Sequence, residues 1–165
     1  MKKKLIVGTL CLSLAGLTAC DDTAEKSSTE PKQEEQKSNT KQTSNDPKDV
    51  IKNNAESIVK DLTSVSVKKI VVNENMGTDN PDDYILLVYL SFDAKNSKST
   101  TKEMIEMYNN EIGAKIGKSE KNVQELTIFW EVPHQQKDTN LAKASLERSG
   151  DQMQFKEKWI APALN

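Results

Sequence analysis

The alternation of apolar and polar positions divides the chain into a short apolar start, a long polar stretch and a periodic region. Only the periodic region, residues 46–165, repeats apolar residues in the manner of secondary structure. Within it, apolar residues at helical spacing predict helices over about 47–62 and 100–116. Asp46 is expected to cap the first helix, a capping box from Thr100 to Glu103 to open the second, and Gly117 to end it.

Runs rich in β-branched and aromatic residues predict five strands, over 65–73, 84–92, 122–132, 141–148 and 152–159. The pair Lys68 and Lys69 interrupts the alternation of the first strand and predicts a bulge or an edge position. Residues 84–92 are apolar at nearly every position, which is typical of a central strand. Residues 141–148 are equally compatible with a helix by propensity.

The resulting order, α-β-β-α-β-β-β, predicts an α+β fold: a two-layer sandwich with both helices on one face of an antiparallel sheet. The helices would then cover Leu86, Val88, Leu126, Ile128 and Trp130. The opposite face would present Ile85, Leu87, Tyr89, Thr127 and Phe129. If it is uncovered, this face is an apolar patch of the kind that marks a binding surface. The alternative is that the C-terminal segment, with Trp159, Ile160 and Leu164, folds over it and makes it core.

The apolar start has the layout of a secretory signal. Lys2, Lys3 and Lys4 precede an apolar run over 5–19 that has the length of a signal-peptide core and is short for a membrane-spanning helix. The run ends in Leu17-Thr18-Ala19-Cys20, which resembles the lipobox of bacterial lipoproteins. The resemblance implies a diacylglyceryl group on the Cys20 sulfur and cleavage between Ala19 and Cys20. Two acyl chains give stable membrane anchoring without a transmembrane helix.

Cleavage after residue 19 also removes Cys11, so the mature chain would have no free thiol and no disulfide. The expected location is the outer face of the cytoplasmic membrane. The Lys- and Asn-rich composition, with Arg148 as the single arginine, points to a Gram-positive source. Residues 79–133 are similar to small, uncharacterised Gram-positive lipoproteins, and that resemblance implies no activity.

The polar stretch that follows the lipidated cysteine, within 20–45, contains Ala24 as its only apolar residue after Cys20. It is expected to be a disordered tether with a mean reach of roughly 25–30 Å. Removal of residues 1–19 leaves 20 basic and 25 acidic side chains, a net charge of −5. This balance argues against a nucleic-acid partner, which needs a concentrated basic face.

The periodic domain offers little catalytic chemistry. Its single histidine, His134, lies in a polar run and is expected to be a solvated loop residue, and no phosphate-binding glycine motif is present. Acidic residues between the first two strands could ligate calcium, but turns favour such residues for backbone reasons: Glu74, Asp79, Asp82 and Asp83. We therefore expect no metal and no cofactor.

The sequence favours a non-enzymatic binding module that meets a protein or peptide at the cell envelope. The alternative is an extracellular hydrolase or small-ligand carrier that uses carboxylates. That alternative predicts a pocket in which at least two acidic groups meet and have raised pKa values, from among Glu74, Asp79, Asp82, Glu125 and Glu131.

Overall fold

A computed structural model describes residues 45–165 of the chain. The expected signal peptide, the acylated Cys20 and all of the expected tether except Asn45 lie outside the described residues. Within 45–165, neither helix has the length and apolar character needed to cross a membrane.

The secondary structure follows the predicted order. The elements are α1 Pro47–Lys60, β1 Val65–Glu74, β2 Tyr84–Phe92, α2 Lys98–Ser119, β3 Val123–Val132, β4 Gln136–Ser149, β5 Gln152–Ile160 and a short 3₁₀ turn Pro162–Leu164. The predicted α+β class and the order α-β-β-α-β-β-β are confirmed. Residues 141–148, which were also compatible with a helix, belong to β4.

The five strands form one sheet in the order β1-β2-β3-β4-β5. Three neighbouring pairs are antiparallel as expected, but β2 and β3 are parallel, so the sheet is mixed rather than wholly antiparallel. The physical reason is α2, which carries the chain back along the sheet between β2 and β3. The expected irregularity in β1 is a bulge at Lys68, between Val67 and Lys69.

Both helices pack on one face of the sheet, where the core lies. Helix α1 lies against β1, and α2 lies against β3, β4 and β5. The core side chains of the central strands are completely buried: Leu86, Val88, Leu90, Leu126, Ile128 and Trp130. The indole Nε1 of Trp130 donates to Oδ1 of Asn109 on α2 at 2.8 Å, which satisfies both buried polar groups.

The two helices differ in how well the sequence located their ends. Asp46 caps α1 as predicted, accepting from the Lys48 backbone N–H at 2.9 Å. Helix α2 begins earlier than predicted because Ser97, not Thr100, is its cap. Gly117 does not end it. The helix continues to Ser119, and a Cβ on Gly117 would lie 3.0 Å from the backbone nitrogen of Met153 in β5.

Arg148 fixes the C-terminal end of α2 to the sheet. Its guanidinium donates to the carbonyl oxygens of Gly117 at 3.2 Å and Glu120 at 2.6 Å. It also donates to Val123 at 2.8 Å and Gly150 at 3.3 Å. The last carbonyl oxygens of a helix have no donor within the helix, so the Arg148 side chain on β4 supplies the hydrogen-bond donors that α2 lacks. Partial burial lowers the pKa of Arg148, and Asp151 opposes that shift.

Candidate binding face

The sheet has a second face, opposite the helices, which we call the open face. The five residues predicted for it do share that face: Ile85, Leu87, Tyr89, Thr127 and Phe129. Each is partly exposed, whereas their strand neighbours Leu86, Val88 and Ile128 are fully buried. The alternation therefore separates a fully buried face of the sheet from a partly exposed one.

The C-terminal segment does not cover the open face. Leu164 is 1% exposed and packs into the helix-side core, and the 3₁₀ turn that carries it contacts α2 and β4. Trp159 remains 44% exposed. Among residues 45–165, no helix or loop buries the open face.

The strand register arranges the open face into rows that cross the sheet. The central one, which we call the aromatic row, contains one residue from each strand in order: Lys69, Tyr89, Phe129, Lys143 and Trp159. The rings of Tyr89 and Phe129 are stacked, with centroids 4.6 Å apart and planes 9° apart. Lys69 Nζ lies 6.0 Å from the Tyr89 centroid, at the limit of a cation–π contact.

Two further rows lie between the aromatic row and the sheet end where β2 begins. The nearer one, the aliphatic row, consists of Val71, Leu87, Thr127, Ser145 and Glu157. The outer one, the acidic row, consists of Asn73, Ile85, Glu125, Glu147 and Gln154. The open face is thus apolar along β2, with Val71 and Phe129 beside it, and more polar over β4 and β5.

The charges around the open face balance. Three ion pairs lie there: Lys143 with Glu157 at 2.7 Å, Lys156 with Glu147 at 3.1 Å, and Lys68 with Glu131 at 3.3 Å. Glu147, and to a smaller extent Glu125, raise the pKa of Lys156. With Lys69 and Glu125 included, four basic and four acidic side chains surround the apolar centre, a combination typical of protein interfaces.

At its β5 side the open face contains a shallow groove of about 430 Å³, lined by Phe129, Asn140, Lys143, Glu157 and Trp159. Sequence reasoning found only Phe129 among these as part of a binding face. Trp159 was predicted in the last strand and, in the alternative, as part of a covering segment. Alternation along β5 groups Trp159 with Met153 and Phe155, which pack on the core, and only the register shift between Ser145 and Leu146 brings it to the open face.

The acidic residues of the alternative hypothesis do not gather. Glu74 forms an ion pair with Lys48 at 2.7 Å, and that hydrogen bond lowers the pKa of Glu74, opposite to the expected rise. Glu131 pairs with Lys68, and Glu125 lies across from Glu147 on β4. In the part of the chain that the structure describes, no group of three or more His, Cys, Asp or Glu residues is placed to hold a metal ion.

His134 lies in the turn between β3 and β4, as predicted. It is partly buried rather than solvated, and neither ring nitrogen has a hydrogen-bond partner among the described residues. It therefore lacks the orienting carboxylate or carbonyl that a catalytic histidine uses.

No protein-family model matches this chain, and no curated protein and no solved structure matches it either. The features of this chain that bear on its function are therefore the open face and the N-terminal sequence.

Proposed function

We propose that this chain is a lipid-anchored lipoprotein that acts as a non-enzymatic binding module at the cell envelope. Its partner is a protein or peptide, and the open face is the surface that binds it. One observation carries this proposal: the apolar side chains of β2 and β3 opposite the helices stay partly exposed, and no described element covers them.

The composition of the open face supports a protein partner. It has an apolar centre with three aromatic rings, those of Tyr89, Phe129 and Trp159, and a rim of paired charges. Aromatic residues at the centre of an interface supply most of the binding energy, and a charged rim contributes mainly to specificity. Because the charges of the rim balance, the apolar contact is the main source of affinity.

The sequence before the described residues supports the location. The lipobox Leu17-Thr18-Ala19-Cys20 supports acylation of Cys20 at the outer face of the cytoplasmic membrane. A Cys20→Ala variant is expected to move from the detergent phase to the aqueous phase in a detergent partition of whole cells. Mass spectrometry of the native chain tests the same step. An unmodified thiol on a chain that still begins at Met1 contradicts the anchor.

The binding face is tested with the full-length protein in its membrane. The double variant Leu87→Asp/Phe129→Asp is expected to keep its fold, because both positions are partly exposed, and to lose partners that the wild type retains in a pull-down. Met76→Asp is the matched surface control, since Met76 is 89% exposed in the turn between β1 and β2.

The core control is Leu86→Asp/Ile128→Asp, which places the same two charges one residue earlier on the same strands, at fully buried sites. This variant is expected to unfold, since an unpaired buried charge costs several kcal/mol. If the Leu87/Phe129 variant unfolds to the same extent, the open face is core and the proposal is wrong. If that variant stays folded and retains every partner, the face does not bind them.

A further inference from the structure

We infer that the open face binds a second copy of this chain, packed face to face about a twofold axis that runs along β3. This inference rests on the proposed function and names the partner. The other candidates for the face are a different envelope protein and the lipid surface itself.

The aromatic row is complementary to a second copy of itself in the opposite strand order, from β5 to β1. A twofold axis along β3 places β1 of one copy over β5 of the other and β2 over β4. Lys69 then lies over Trp159 of the second copy, and Tyr89 lies over its Lys143. Phe129 meets its own equivalent on the axis. Each lysine of the row thus faces an aromatic ring, an arrangement that is attractive and becomes stronger where water is excluded.

The only other twofold axis in the plane of the face that preserves the aromatic row runs across the strands, and it is unfavourable. It would place Lys69 over Lys69 and Lys143 over Lys143, so that like charges meet at both lysine positions. Like charges brought together at an interface weaken association. The pattern of charges therefore selects the axis along β3.

The position of the N-terminal end of the domain selects the same axis. Lys48 in the first turn of α1 is bonded to Glu74 at the end of β1, so the chain enters the domain beside the sheet end where β2 begins. A twofold axis along the strands keeps this end on the same side in both copies. Two chains anchored at Cys20 in one membrane can then meet, whereas the axis across the strands would direct their anchors to opposite sides.

The size of the face indicates a weak dimer that depends on the membrane. Five strands about 4.8 Å apart and three rows spanning about 20 Å give about 500 Å² per copy, or about 1,000 Å² in total. Stable interfaces in solution bury about 1,200–2,000 Å². Confinement by a lipid anchor and a short tether raises the effective concentration and so favours an association that is weak in free solution.

Acidic side chains oppose the pairing, since Glu157 would lie over Val71 and Glu147 over Ile85 of the second copy. A third, Glu125, provides a directional test. Glu125 lies on β3 in the acidic row, so it faces its own equivalent across the axis. Replacement by the uncharged Glu125→Gln is expected to increase the dimer fraction several-fold, whereas Glu111→Gln, on α2 away from the open face, is expected to leave it unchanged.

Cysteine cross-linking in the native membrane tests the geometry. The only cysteine of the expected mature chain is the acylated Cys20, so a cysteine at position 127 or 129 is a unique free thiol. Both positions lie on the axis, and Thr127→Cys leaves the aromatic row intact. Facing sheets lie about 10 Å apart, which is beyond the reach of a disulfide. Both variants are therefore expected to be joined into dimers by a bis-maleimide linker of about that length, at least several-fold more than Met107→Cys, which is 52% exposed on α2.

A second arm tests the orientation. Lys69→Cys and Trp159→Cys are expected to cross-link to each other when the two variants are expressed together, and neither to itself.

Equal cross-linking of Met107→Cys would indicate random collision and would overturn the inference. If Thr127→Cys and Phe129→Cys do not cross-link but the pull-down still recovers a face-dependent partner, the partner is a different protein and only the dimer is wrong. If lipid vesicles shield the thiols of Thr127→Cys and Phe129→Cys and no cross-linking occurs, the open face contacts lipid. That result would also overturn the inferred dimer.

Discussion

At the scale of single residues, the most consequential side chains are those whose partners lie on another element. Arg148 bonds four carbonyl oxygens on three segments, and Asn109 satisfies the indole of Trp130. The sequence predicted that Trp130 faces the core, because alternation along β3 is enough for that. It could not predict Asn109 or Arg148 as partners, since each contact depends on where α2 lies over the sheet.

Loss of the Arg148 side chain leaves carbonyl oxygens at the end of α2 without a donor. Arg148→Ala is expected to lower the free energy of unfolding by about 2–3 kcal/mol, since hydrogen bonds to charged groups are among the stronger ones. Arg148→Lys is expected to recover only part of this stability, because an ammonium has three donors and lacks the planar fork with which the guanidinium bonds four carbonyl oxygens. Urea denaturation measures both. Lys118→Ala, an exposed cation in the same turn, is the control, and an equal loss there would contradict the assigned role.

At the scale of elements, the lengths and order of the helices and strands were largely predictable, whereas their mutual placement was not. The five strands and two helices appear in the predicted order, with α2 extended at both ends and β4 beginning at Gln136 rather than at residue 141. The parallel pairing of β2 and β3 was missed, because an apolar run such as β2 is compatible with either direction. Gly117 was read as a helix end, but its role is to let α2 approach the backbone of β5.

The close approach at Gly117 predicts an unusual ranking of glycine substitutions. Gly117→Ala is expected to destabilise the fold by about 1–3 kcal/mol, because its Cβ would meet backbone atoms of Gln152 and Met153 at 3.0–3.3 Å. Gly113→Ala is expected to cost less, since its Cβ would meet the movable end of Leu146. Ala114→Gly, on the exposed side of α2, measures the effect of helix propensity alone and is expected to lower the free energy of unfolding by about 1 kcal/mol. Thermal or urea denaturation gives the ranking, and equal costs at 113 and 117 would contradict it.

The ion pair between α1 and β1 predicts a pH dependence. The hydrogen bond from Lys48 lowers the pKa of Glu74, so the folded state binds fewer protons than the unfolded state at mildly acidic pH. The stabilisation is fully present above the unfolded pKa of about 4.3 and is lost as the pH falls through the lower folded value. The difference in Tm between the wild type and Glu74→Gln should therefore shrink from about pH 6 to about pH 2.5. Lys48→Met should behave like Glu74→Gln, and a difference that grows in acid would contradict the pairing.

At the scale of the whole molecule, the open face was predictable because it depends only on alternation within β2 and β3. Its extension to Lys143 and Trp159 was not, since β4 and β5 pair with a register shift between Ser145 and Leu146. The sequence likewise predicted a periodic domain preceded by a polar segment and an acylated cysteine. Under the proposed anchoring, these features would present the open face to neighbours in the plane of a membrane.

This organisation predicts where a protease releases the protein. A glutamate-specific protease applied to intact protoplasts is expected to cut first within the expected tether, at Glu25, Glu34 or Glu35. The domain should then appear in the supernatant as a fragment that retains residues 46–165, because its glutamates, except Glu120 at the end of α2, lie in helices or strands. Mass spectrometry identifies the fragment. A first cut inside the domain, or a fragment that stays with the membrane, would contradict this arrangement.

The bulge at Lys68 has a consequence for how such molecules behave when crowded. An open sheet ends in two strands with unpaired backbone groups, which can recruit strands from neighbouring chains into fibrils. Here the bulge distorts the edge strand β1, and Lys156 and Lys158 place charges on the other edge strand, β5. Both devices oppose end-to-end growth of the sheet. We therefore expect that a dense population of chains anchored as proposed would remain in discrete, finite complexes.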